Sequence, residues 1–358
     1  MSLSLEGITK KVGRETHIDH VDLSFEAGSR NILLGRTLAG KTSLLRLMAG
    51  LDRPTSGRVL VNGIDVTGKS VRKRSIAMVY QQFINYPSLT IYNNIASPLK
   101  IAKVPKSEIK QRVHETAEML HIEGFLDRLP NELSGGQQQR VAIARALVKE
   151  TDLLLLDEPL VNLDYKLREE LRAELQEIFE SRQAIVVYTT TEPTEALMLG
   201  GNIVVIDEGR VLQTGPTPKV YHHPSTTQVA EVFSDPPINF LEGSIQGSTA
   251  RIGQNIEIPL QDHMKSLPDG KYTFGVRSNY LFLSERNKQN VKIPARVELA
   301  EINGSETFIH ADYDGFRVVV QENGIRSVRI GAEIAIYVNA SSFFVYDAAG
   351  ALVTSPSH

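Results

Sequence analysis

The sequence predicts an α/β domain followed by a smaller, mostly β domain. Its 358 residues are enough for two or three domains. Through residue 235, short apolar runs alternate with segments whose apolar residues recur at helical spacing, the pattern of a mostly parallel sheet with crossover helices. The adjacent Pro236 and Pro237 then mark a boundary. We expect the first domain over residues 1–235 and a β-barrel-like domain over residues 236–358.

Periodicity indicates the individual elements. Apolar residues at helical spacing predict helices over residues 42–51, 109–120 and 167–178, and continuous apolar runs predict buried core strands over residues 31–34, 153–156, 184–188 and 203–206. In the second domain, β-like runs cover residues 307–313, 316–320, 331–338 and 343–346. Asp314 and Gly315 join the first two of these runs, and this dipeptide is typical of a two-residue hairpin turn.

Composition excludes several classes of protein. The chain has no cysteine, which rules out a disulfide scaffold, a cysteine zinc site, an iron–sulfur cluster and a catalytic thiol. The 39 Lys and Arg residues nearly balance the 42 Asp and Glu residues, so the charge gives no sign of nucleic acid as a partner. No secretory signal is visible at the N-terminus, and no apolar run approaches the ~20 residues that cross a bilayer. A role at a membrane therefore requires attachment to another protein.

Residues 35–42 (Gly-Arg-Thr-Leu-Ala-Gly-Lys-Thr) fit the phosphate-binding pattern G-x-x-x-x-G-K-[ST]. They follow a predicted strand and open a predicted helix, so backbone N–H groups and the helix N-terminus can surround phosphates. In that setting Lys41 reaches the β- and γ-phosphates, and the Thr42 hydroxyl can bind Mg²⁺. An incidental glycine-rich turn is the alternative, and the strand–loop–helix context argues against it.

A second motif ends the strand predicted over residues 153–156. Asp157 is placed to bind Mg²⁺ through water, and Glu158 can polarise an attacking water as a general base. Alone, two carboxylates after an apolar strand would more often be a solvated strand end. Together with a phosphate-binding loop they indicate a catalytic site.

Between these motifs, residues 133–137 (Leu-Ser-Gly-Gly-Gln) precede a helical pattern over residues 141–148. Ser134 is a good N-cap, so a capped helix is the simple interpretation, and the same helix N-terminus makes a second anion-binding edge. With the phosphate-binding loop upstream and Leu-Leu-Asp-Glu-Pro downstream, the chain resembles the ATP-binding cassette family along its whole length. The resemblance implies a P-loop NTPase fold with a helical subdomain over about residues 84–148. It also implies an oligonucleotide-fold-like regulatory and dimerisation domain of the carbohydrate-importer branch, which includes the maltose and glycerol-phosphate importers.

The resemblance also implies a site for ATP and Mg²⁺. Gln81 matches the glutamine loop, which contacts Mg²⁺ and the γ-phosphate, and residues 160–164 match a loop that crosses to a partner cassette. The implied nucleotide-binding residues are Val12, Gly35, Arg36, Thr37, Leu38, Ala39, Gly40, Lys41, Thr42, Ser43, Gln81 and Asp157. The implied Mg²⁺ ligands are Thr42, Gln81 and Asp157, and the implied catalytic residues are Glu158, Gln81 and Thr191. A signature that acts on the partner's ATP comprises Leu133, Ser134, Gly135, Gly136 and Gln137.

Partners follow from the same resemblance. In such importers two cassettes face each other head to tail, and each ATP lies between the P-loop of one chain and the Leu-Ser-Gly-Gly-Gln of the other. Two transmembrane subunits dock beside the glutamine loop, and a periplasmic or extracellular solute-binding protein works with them at the bacterial inner membrane, whose cytoplasmic face carries the ATPases. No nucleic acid is expected as a partner. The docking groove would use Phe83, Ile84, Tyr86, Pro87 and Leu89, although the sequence equally allows these residues to serve ordinary subdomain packing.

The chain departs from the family pattern in three places. Val12 stands where an aromatic residue stacks on adenine, and Arg36 and Leu38 stand where the phosphate loop carries small residues, including a glycine. Thr191 replaces the switch histidine, which in the family contacts the γ-phosphate and organises the attacking water. A threonine hydroxyl is shorter than histidine and cannot be cationic. Thr191 and the following Pro193 also fit the start of a helix, since proline favours the first helical position.

A weakened site beside an intact signature suggests a heterodimer with a paralogous, more complete ATPase subunit. We expect an ATP-hydrolysing subunit that powers import of a carbohydrate or polyol. Residues 35–43, 80–87 and 188–195 are most similar to one of the two paired ATPase subunits of bacterial glycerol importers. The alternative is a nucleotide-binding structural subunit that turns over little ATP and completes the partner's site. A soluble cassette protein of DNA repair or translation would usually carry coiled-coil arms or a second fused cassette, which the chain lacks.

Overall fold

A computed structural model of the chain describes residues 1–161, 163–253, 256–287 and 290–357. Its contacts divide the chain into two units, Met1–Thr217 and Pro218–His358. Asn162, in the loop predicted to cross to a partner, lies outside the described residues.

The first unit alternates strands and helices as the sequence predicts. In chain order its elements are β1 (Leu3–Val12), β2 (Glu15–Phe25), β3 (Arg30–Leu34), α1 (Lys41–Ala49), β4 (Ser56–Val61), β5 (Ile64–Asp65), β6 (Ile76–Val79), α2 (Ile91–Ile101), α3 (Lys106–Met119), α4 (Gly135–Leu147), β7 (Leu153–Asp157), α5 (Tyr165–Ser181), β8 (Ile185–Thr190), α6 (Pro193–Leu199), β9 (Asn202–Asp207) and β10 (Arg210–Pro216). Short 3₁₀ helices cover Val71–Lys73, Glu123–Phe125 and Pro130–Glu132.

A parallel sheet runs through this unit in the order β10-β9-β3-β8-β7-β6, with only β10 antiparallel to its neighbour among the described strands. All residues of β7 and β8 are buried, as expected for strands covered on both faces. The four predicted core strands are therefore confirmed as β3, β7, β8 and β9. Because β3, β6, β7 and β8 run in one direction, the segments that leave their carboxyl ends emerge at the same edge of the sheet.

The antiparallel sheet β2-β1-β4-β5 covers helix α1 and one side of the parallel sheet. Apolar side chains of β1, such as Leu3 and Ile8, share one core with Leu44 and Met48 of α1 and with strands of the parallel sheet. Helix α1 begins after Gly40, whose φ is 102°. A Cβ there would lie 2.8 Å from the carbonyl oxygen of His17, so glycine is needed where the loop turns into the helix.

Helices α2, α3 and α4 lie between β6 and β7 in the chain and pack on one another. The helical subdomain predicted over about residues 84–148 would comprise these three helices. Ile109, Val113 and Ala117 form the buried face of α3, at the predicted spacing. Nowhere in the described part of the chain is a helix both long and apolar enough to cross a membrane.

The second unit is mostly β. Its elements are α7 (Thr217–His222), α8 (Thr227–Val232), β11 (Asn239–Gln246), β12 (Thr249–Ile252), β13 (Ile256–Pro259), β14 (Gly270–Val276), β15 (Leu281–Phe282), β16 (Asn290–Asn303), β17 (Glu306–Tyr313), β18 (Phe316–Asn323), β19 (Glu333–Asn339), β20 (Phe344–Tyr346) and β21 (Leu352–Thr354), with 3₁₀ helices at Asp262–Met264, Ser278–Tyr280 and Ala340–Ser342. One antiparallel sheet has the order β13-β12-β11-β14-β20-β21, and the other has the order β15-β19-β16-β17-β18.

The two sheets of this unit enclose one apolar core, to which Phe274 of the first sheet and Ile309 of the second contribute. The predicted barrel-like, oligonucleotide-fold-like architecture is confirmed. The predicted hairpin is confirmed as well, since Tyr313 pairs with Phe316 and both Asp314 and Gly315 have positive φ, at 53° and 84°. Such a turn matches the right-handed twist of the two strands it joins.

The division between the units differs from the predicted boundary, because it falls after residue 217 and not after residue 235. Helices α7 and α8 carry buried apolar residues, such as Val220 and Val229. Apolar residues of α8 pack against other residues of the second unit. Ala230 of α8 shares a small core with Ile238, Phe344 and Tyr346. Sequence patterning locates prolines and changes of periodicity, but it does not tell which core a short connecting helix joins.

Arg277, directly after β14, holds α7 in the second unit. Its guanidinium carbon lies 3.6 Å from the centroid of the Tyr221 ring, and its Nη2 donates to the Tyr221 carbonyl oxygen at 2.7 Å. Only 5% of Arg277 is exposed. The flat guanidinium can stack and donate at once, which a lysine ammonium cannot do.

We expect Arg277→Lys to destabilise the second unit by about 2 kcal/mol, because it loses the stacking and leaves a buried ammonium. The measurement is urea unfolding of the full chain followed by circular dichroism. Arg329→Lys, at an exposed position, is the matched control and should be neutral. Equal midpoints for the two variants would contradict the anchoring role of Arg277.

Candidate functional site

The carboxyl edge of the parallel sheet brings together segments that lie far apart in the sequence. The loop of residues 35–40 follows β3, Asp157 ends β7 and precedes Glu158, Thr191 follows β8, and Gln81 follows β6. Gly35 N donates to the Thr190 carbonyl oxygen at 3.3 Å, which ties the glycine-rich loop to β8. Most of the residues predicted to contact nucleotide therefore lie on one edge.

The glycine-rich loop is shaped by close backbone contacts. A Cβ on Gly35 would lie 2.3 Å from the Ile206 carbonyl oxygen, so no side chain fits there. Arg36, Thr37 and Leu38 are exposed, whereas Ala39 is buried. Leu38 has φ 68° and is 96% exposed. This left-handed conformation costs a non-glycine residue roughly 1 kcal/mol, which is why a glycine suits this position better.

Lys41 lies over this loop with only 4% of the residue exposed. Its Nζ donates to the carbonyl oxygens of Gly35 at 2.8 Å and Arg36 at 2.9 Å, and lies 3.0 Å from Glu158 Oε1. Gln81 Nε2 donates to the other carboxylate oxygen of Glu158 at 3.0 Å. Lys41, Glu158 and Gln81 thus form one connected polar group.

Asp157 is the most deeply buried acid of the site, with 2% of the residue exposed. Burial raises the pKa of its carboxyl, and the neighbouring charge of Glu158 adds to this. The hydroxyls of Thr42 and Thr189 and the charge of Lys41 act in the opposite direction and lower the pKa. Thr42 Oγ1 donates to Asp157 Oδ1 at 3.0 Å, and Thr189 Oγ1 donates to the same oxygen at 3.1 Å.

Thr42 and Asp157 are suitable partners for a Mg²⁺ ion. A hydroxyl that donates its proton to a carboxylate keeps oxygen lone pairs for a cation, and oxygen is the ligand that Mg²⁺ prefers. The described residues contain no group of three or more His, Cys, Asp or Glu side chains that could hold a metal by themselves. Such an ion therefore needs further oxygens from phosphates and water, as is usual for Mg²⁺ in phosphate-binding enzymes.

Thr191 lines a small cavity together with Glu158, Leu160 and Arg168. Pro193 occupies the first turn of α6, as predicted. The sequence did not lead us to predict a hydrogen bond between Tyr188 and Glu195, of which Glu195 also lines this cavity. Tyr188 donates to Glu195 at 2.8 Å, and burial raises the pKa of both side chains. Thr189 was also missed, although a run of three threonines at the end of a buried strand was a visible signal.

Val12 belongs to the other sheet. It lies at the tip of the β1–β2 hairpin, paired with Glu15, and half of the residue is exposed. Ser43 lies in the first turn of α1, directly after Lys41 and Thr42 in the chain.

The signature residues form a second group at the N-terminus of α4. Ser134 caps the helix, since its N–H donates to Gln137 Oε1 at 3.0 Å and its hydroxyl accepts from Gln137 N at 3.4 Å. Leu133 is buried. The two glycines differ. A Cβ on Gly136 would lie 1.9 Å from Leu167 Cδ2, whereas a Cβ on Gly135 would meet only Phe83 Cζ at 4.0 Å. The packing of the chain explains glycine at 136 but does not explain it at 135.

We expect Asp157→Asn to stabilise the ligand-free chain at pH 7. Because the folded-state pKa of Asp157 is raised, its ionised form costs folding free energy. That cost is absent below the ordinary pKa and appears as the pH rises through the folded-state pKa. An amide oxygen still accepts from Thr42 and Thr189. The thermal midpoint of the first unit should rise by about 2–4 °C, the shift that 1 kcal/mol produces in a domain of this size.

Asp152→Asn is the matched control, because Asp152 lies exposed just before the other end of β7. It should leave the midpoint unchanged. A fall in the midpoint of Asp157→Asn would show that attraction to Lys41 outweighs the desolvation of Asp157.

Comparison with known proteins gives matches over nearly the whole chain. A family model described as ABC transporter matches residues 18–161. The chain is 34% identical over 358 residues to the sn-glycerol-3-phosphate import ATP-binding protein UgpC 1 of Rhizobium johnstonii, covering 99% of this chain and 96% of that protein. It is 36% identical over 364 aligned residues to the trehalose/maltose import ATP-binding protein MalK of Thermococcus litoralis, with 96% of each covered.

Solved structures agree with this match. A dimeric ATP-binding cassette in a post-hydrolysis state, bound to ADP and Pi, is 31% identical with a TM-score of 0.55, and the match covers 60% of this chain and 98% of that one. The geometry of the glycine-rich loop and these similarities lead to the same conclusion. The chain belongs to the ABC transporter family, as an ATP-binding subunit that hydrolyses ATP in solute transport.

Proposed function

We propose that this chain powers a bacterial importer for a carbohydrate or polyol, as one half of a heterodimer with a paralogous ATPase subunit. One observation carries the catalytic part of the proposal, namely that the Lys41–Glu158–Gln81 group and the Thr42–Asp157 pair lie together at the carboxyl edge of the sheet. Full-length similarity to import ATP-binding proteins for sn-glycerol-3-phosphate and for trehalose/maltose supports the class of solute. Glycerol as the solute rests on the sequence resemblance alone.

The P-loop residues would hold the phosphates of ATP. Backbone N–H groups of residues 35–40 and the N-terminus of α1 supply positive potential, and Lys41 supplies a full charge. In the ligand-free arrangement Lys41 neutralises Glu158 at 3.0 Å. Phosphate oxygens compete for that ammonium, which frees the Glu158 carboxylate to take a proton from water. Mg²⁺ held by Thr42, Gln81 and Asp157 would neutralise charge that develops on the phosphates.

Thr191 limits what this chain's own site can do. It lines the same cavity as Glu158, so its position suits contact with the γ-phosphate and the attacking water. However, it offers one short neutral donor where a histidine would offer a longer, ionisable one. Val12 provides no aromatic face for adenine, and Leu38 adds bulk to the phosphate loop. We therefore assign slow turnover to this site. A purely structural, nucleotide-binding role is the alternative, and the intact Glu158 argues against it.

The signature supports action on the partner's ATP. Gly135 is exposed, and a Cβ there would meet only Phe83 Cζ at 4.0 Å, so the helix N-terminus is accessible to a ligand that is not part of this chain. Backbone N–H groups and the helix dipole at that point suit the γ-phosphate of an ATP held by another cassette. In this arrangement the chain contributes to two ATP sites, and we expect its own site to hydrolyse ATP more slowly than the partner's site.

Exposed apolar residues after β6 support docking of transmembrane subunits. Ile84 is 57% exposed and Tyr86 is 46% exposed, in the loop that follows the partly buried strand β6. Arg145 lies with its guanidinium carbon 5.0 Å from the Tyr86 ring centroid and donates to the Ile84 carbonyl oxygen. Phe83 and Leu89 are half-buried and Pro87 is exposed. Such a surface would place the chain at the cytoplasmic face of the inner membrane, where a solute-binding protein works with the same assembly from the other side.

We expect Gly135→Asp to reduce the ATPase activity of the assembled transporter by at least about 100-fold. The new carboxylate would lie against the γ-phosphate in the better site, and like charges at that distance repel by several kcal/mol even when screened. Aspartate is favoured in the first turn of a helix, so the fold should be preserved. Glu158→Gln should cost much less, because it damages the weaker site.

Gly135→Ala is the control for size, since a Cβ at this position would meet only Phe83 Cζ, without strain, at 4.0 Å. It should leave the free energy of unfolding unchanged. Equal and near-complete loss of activity from Gly135→Asp and Glu158→Gln would contradict the asymmetry and would make this chain's own site fully catalytic.

We also expect the chain purified alone to bind MgATP but to hydrolyse it slowly, and co-expression with its paralogue to restore activity. The reason is the missing histidine. Fluorescent-nucleotide titration and phosphate release measure the two properties, and Lys41→Ala, which removes the charge in the P-loop, is the negative control for binding. Rapid hydrolysis by a homodimer of this chain would contradict the heterodimer.

A further inference from the structure

We infer that Thr189 is a positioning residue of this ATPase, which holds both acids of the site through one hydroxyl. The inference rests on the proposed role of Asp157 with Mg²⁺. It adds a residue that neither the sequence motifs nor the family resemblance single out. The argument depends on where Thr189 lies, on the partners of its hydroxyl and on the backbone that it supports.

Strand register places Thr189 beside Asp157. The parallel strands β7 and β8 pair Asp157 with Thr189 directly. Thr189 is 0% exposed, so its hydroxyl is shielded from solvent and must find its partners in the protein. The hydroxyl of Thr189 on β8 therefore lies beside Asp157 at the end of β7.

The Thr189 hydroxyl uses both its donor and its acceptor capacity on the acidic pair. Its oxygen accepts from Glu158 N at 2.9 Å. Its proton has two acceptors within reach, Asp157 Oδ1 at 3.1 Å and the Leu156 carbonyl oxygen at 3.4 Å. The carboxylate oxygen is closer and carries charge, so it is the stronger acceptor. One side chain therefore binds the carboxylate of Asp157 and the backbone of Glu158.

The backbone that Thr189 supports is unfavourable by itself. Glu158 has φ 44°, a left-handed conformation that a non-glycine residue adopts only at a cost. This turn directs the Glu158 side chain to Lys41 and Gln81. Since the Thr189 hydroxyl holds the N–H of Glu158, it helps to maintain the turn that aims the general base.

Thr189 also leaves Asp157 oriented for a cation. Thr42 Oγ1 and Thr189 Oγ1 donate to the same carboxylate oxygen from the ends of two different elements, α1 and β8. With two donors the carboxylate cannot rotate freely. Without Thr189, the hydroxyl of Thr42 would be the one side-chain donor left to this carboxylate among the described residues, and Thr42 is itself the hydroxyl expected to bind Mg²⁺.

The test compares Thr189→Val, which keeps the shape but removes the hydroxyl, with Thr189→Ser, which keeps the hydroxyl. Binding of Mn²⁺ to the ATP-loaded full chain is followed by electron paramagnetic resonance, and ATP binding without a divalent ion is followed by fluorescence. Thr116→Val is the matched control, because Thr116 is a buried threonine whose hydroxyl donates to Arg112 O within α3.

We expect Thr189→Val to weaken Mn²⁺ binding about 10-fold, while Thr189→Ser and Thr116→Val stay within about 2-fold of the unchanged chain. ATP binding without a divalent ion should be the same in all four proteins, because the P-loop is intact. If Thr189→Val does not fold, Thr189→Ala compared with Thr189→Ser gives the same contrast.

Unchanged Mn²⁺ binding in Thr189→Val would overturn the inference and leave the proposed function standing. Equal losses in Thr189→Val and Thr189→Ser would also overturn it, since packing and not the hydroxyl would then be responsible. Failure of the unchanged chain to bind ATP would instead contradict the proposed function, and the inference that rests on it.

Discussion

The parallel register of β3, β7 and β8 is the constraint on which the site depends. In that register Leu34 pairs with Thr190, and Asp157 pairs with Thr189. The glycine-rich loop and the acidic pair therefore leave the same edge of the sheet on either side of β8, two strand spacings or roughly 10 Å apart. A slip of β8 by one residue would turn the hydroxyl of Thr189 to the opposite face. Every residue of β7 and β8 is buried, and the packing of their apolar residues opposes such a slip.

Charge is concentrated at this edge at some cost to the fold. Lys41 and Asp157 are both almost fully buried, and Glu158 has a left-handed backbone. Each arrangement disfavours the ligand-free state, because buried charge needs partners and positive φ strains a side chain. The Lys41–Glu158 pair and the two threonine hydroxyls reduce that cost. Phosphates would have to draw the Lys41 ammonium away from Glu158 and from the carbonyl oxygens of Gly35 and Arg36.

The two adjacent glycines of the signature, Gly135 and Gly136, differ in whether packing within the chain requires a glycine. Gly136 lets α4 approach α5, because any Cβ would overlap Leu167. Gly135 is exposed, and a Cβ there would meet only Phe83 Cζ at 4.0 Å, so its small size is not needed for packing. A residue whose small size the fold does not need is a candidate for contact with something outside the chain. Exposure at Ile84 and Tyr86 supports the same reasoning for the surface after β6.

The sequence by itself determined the order of the elements and the chemistry of the loops between them. Periodicity indicated β3, β7, β8 and β9 and the helices α1, α3 and α5, because burial on one or both faces leaves a local pattern. The phosphate loop, the acids after β7 and the capped start of α4 were visible because each motif is a short, continuous stretch. The departures at Val12, Leu38 and Thr191 were visible for the same reason.

Only the tertiary structure decided which distant groups meet. The bond of Thr189 to Asp157 depends on the pairing of β7 with β8, which residues 32 positions apart do not reveal. The ion pair of Lys41 with Glu158 joins the start of α1 to the turn after β7. The placement of α7 and α8 depends on Arg277, Phe344 and Tyr346, which follow much later in the chain. Local sequence preference sets the conformation of a segment, whereas its partners are set by the sum of long-range packing and hydrogen bonds, which no single segment contains.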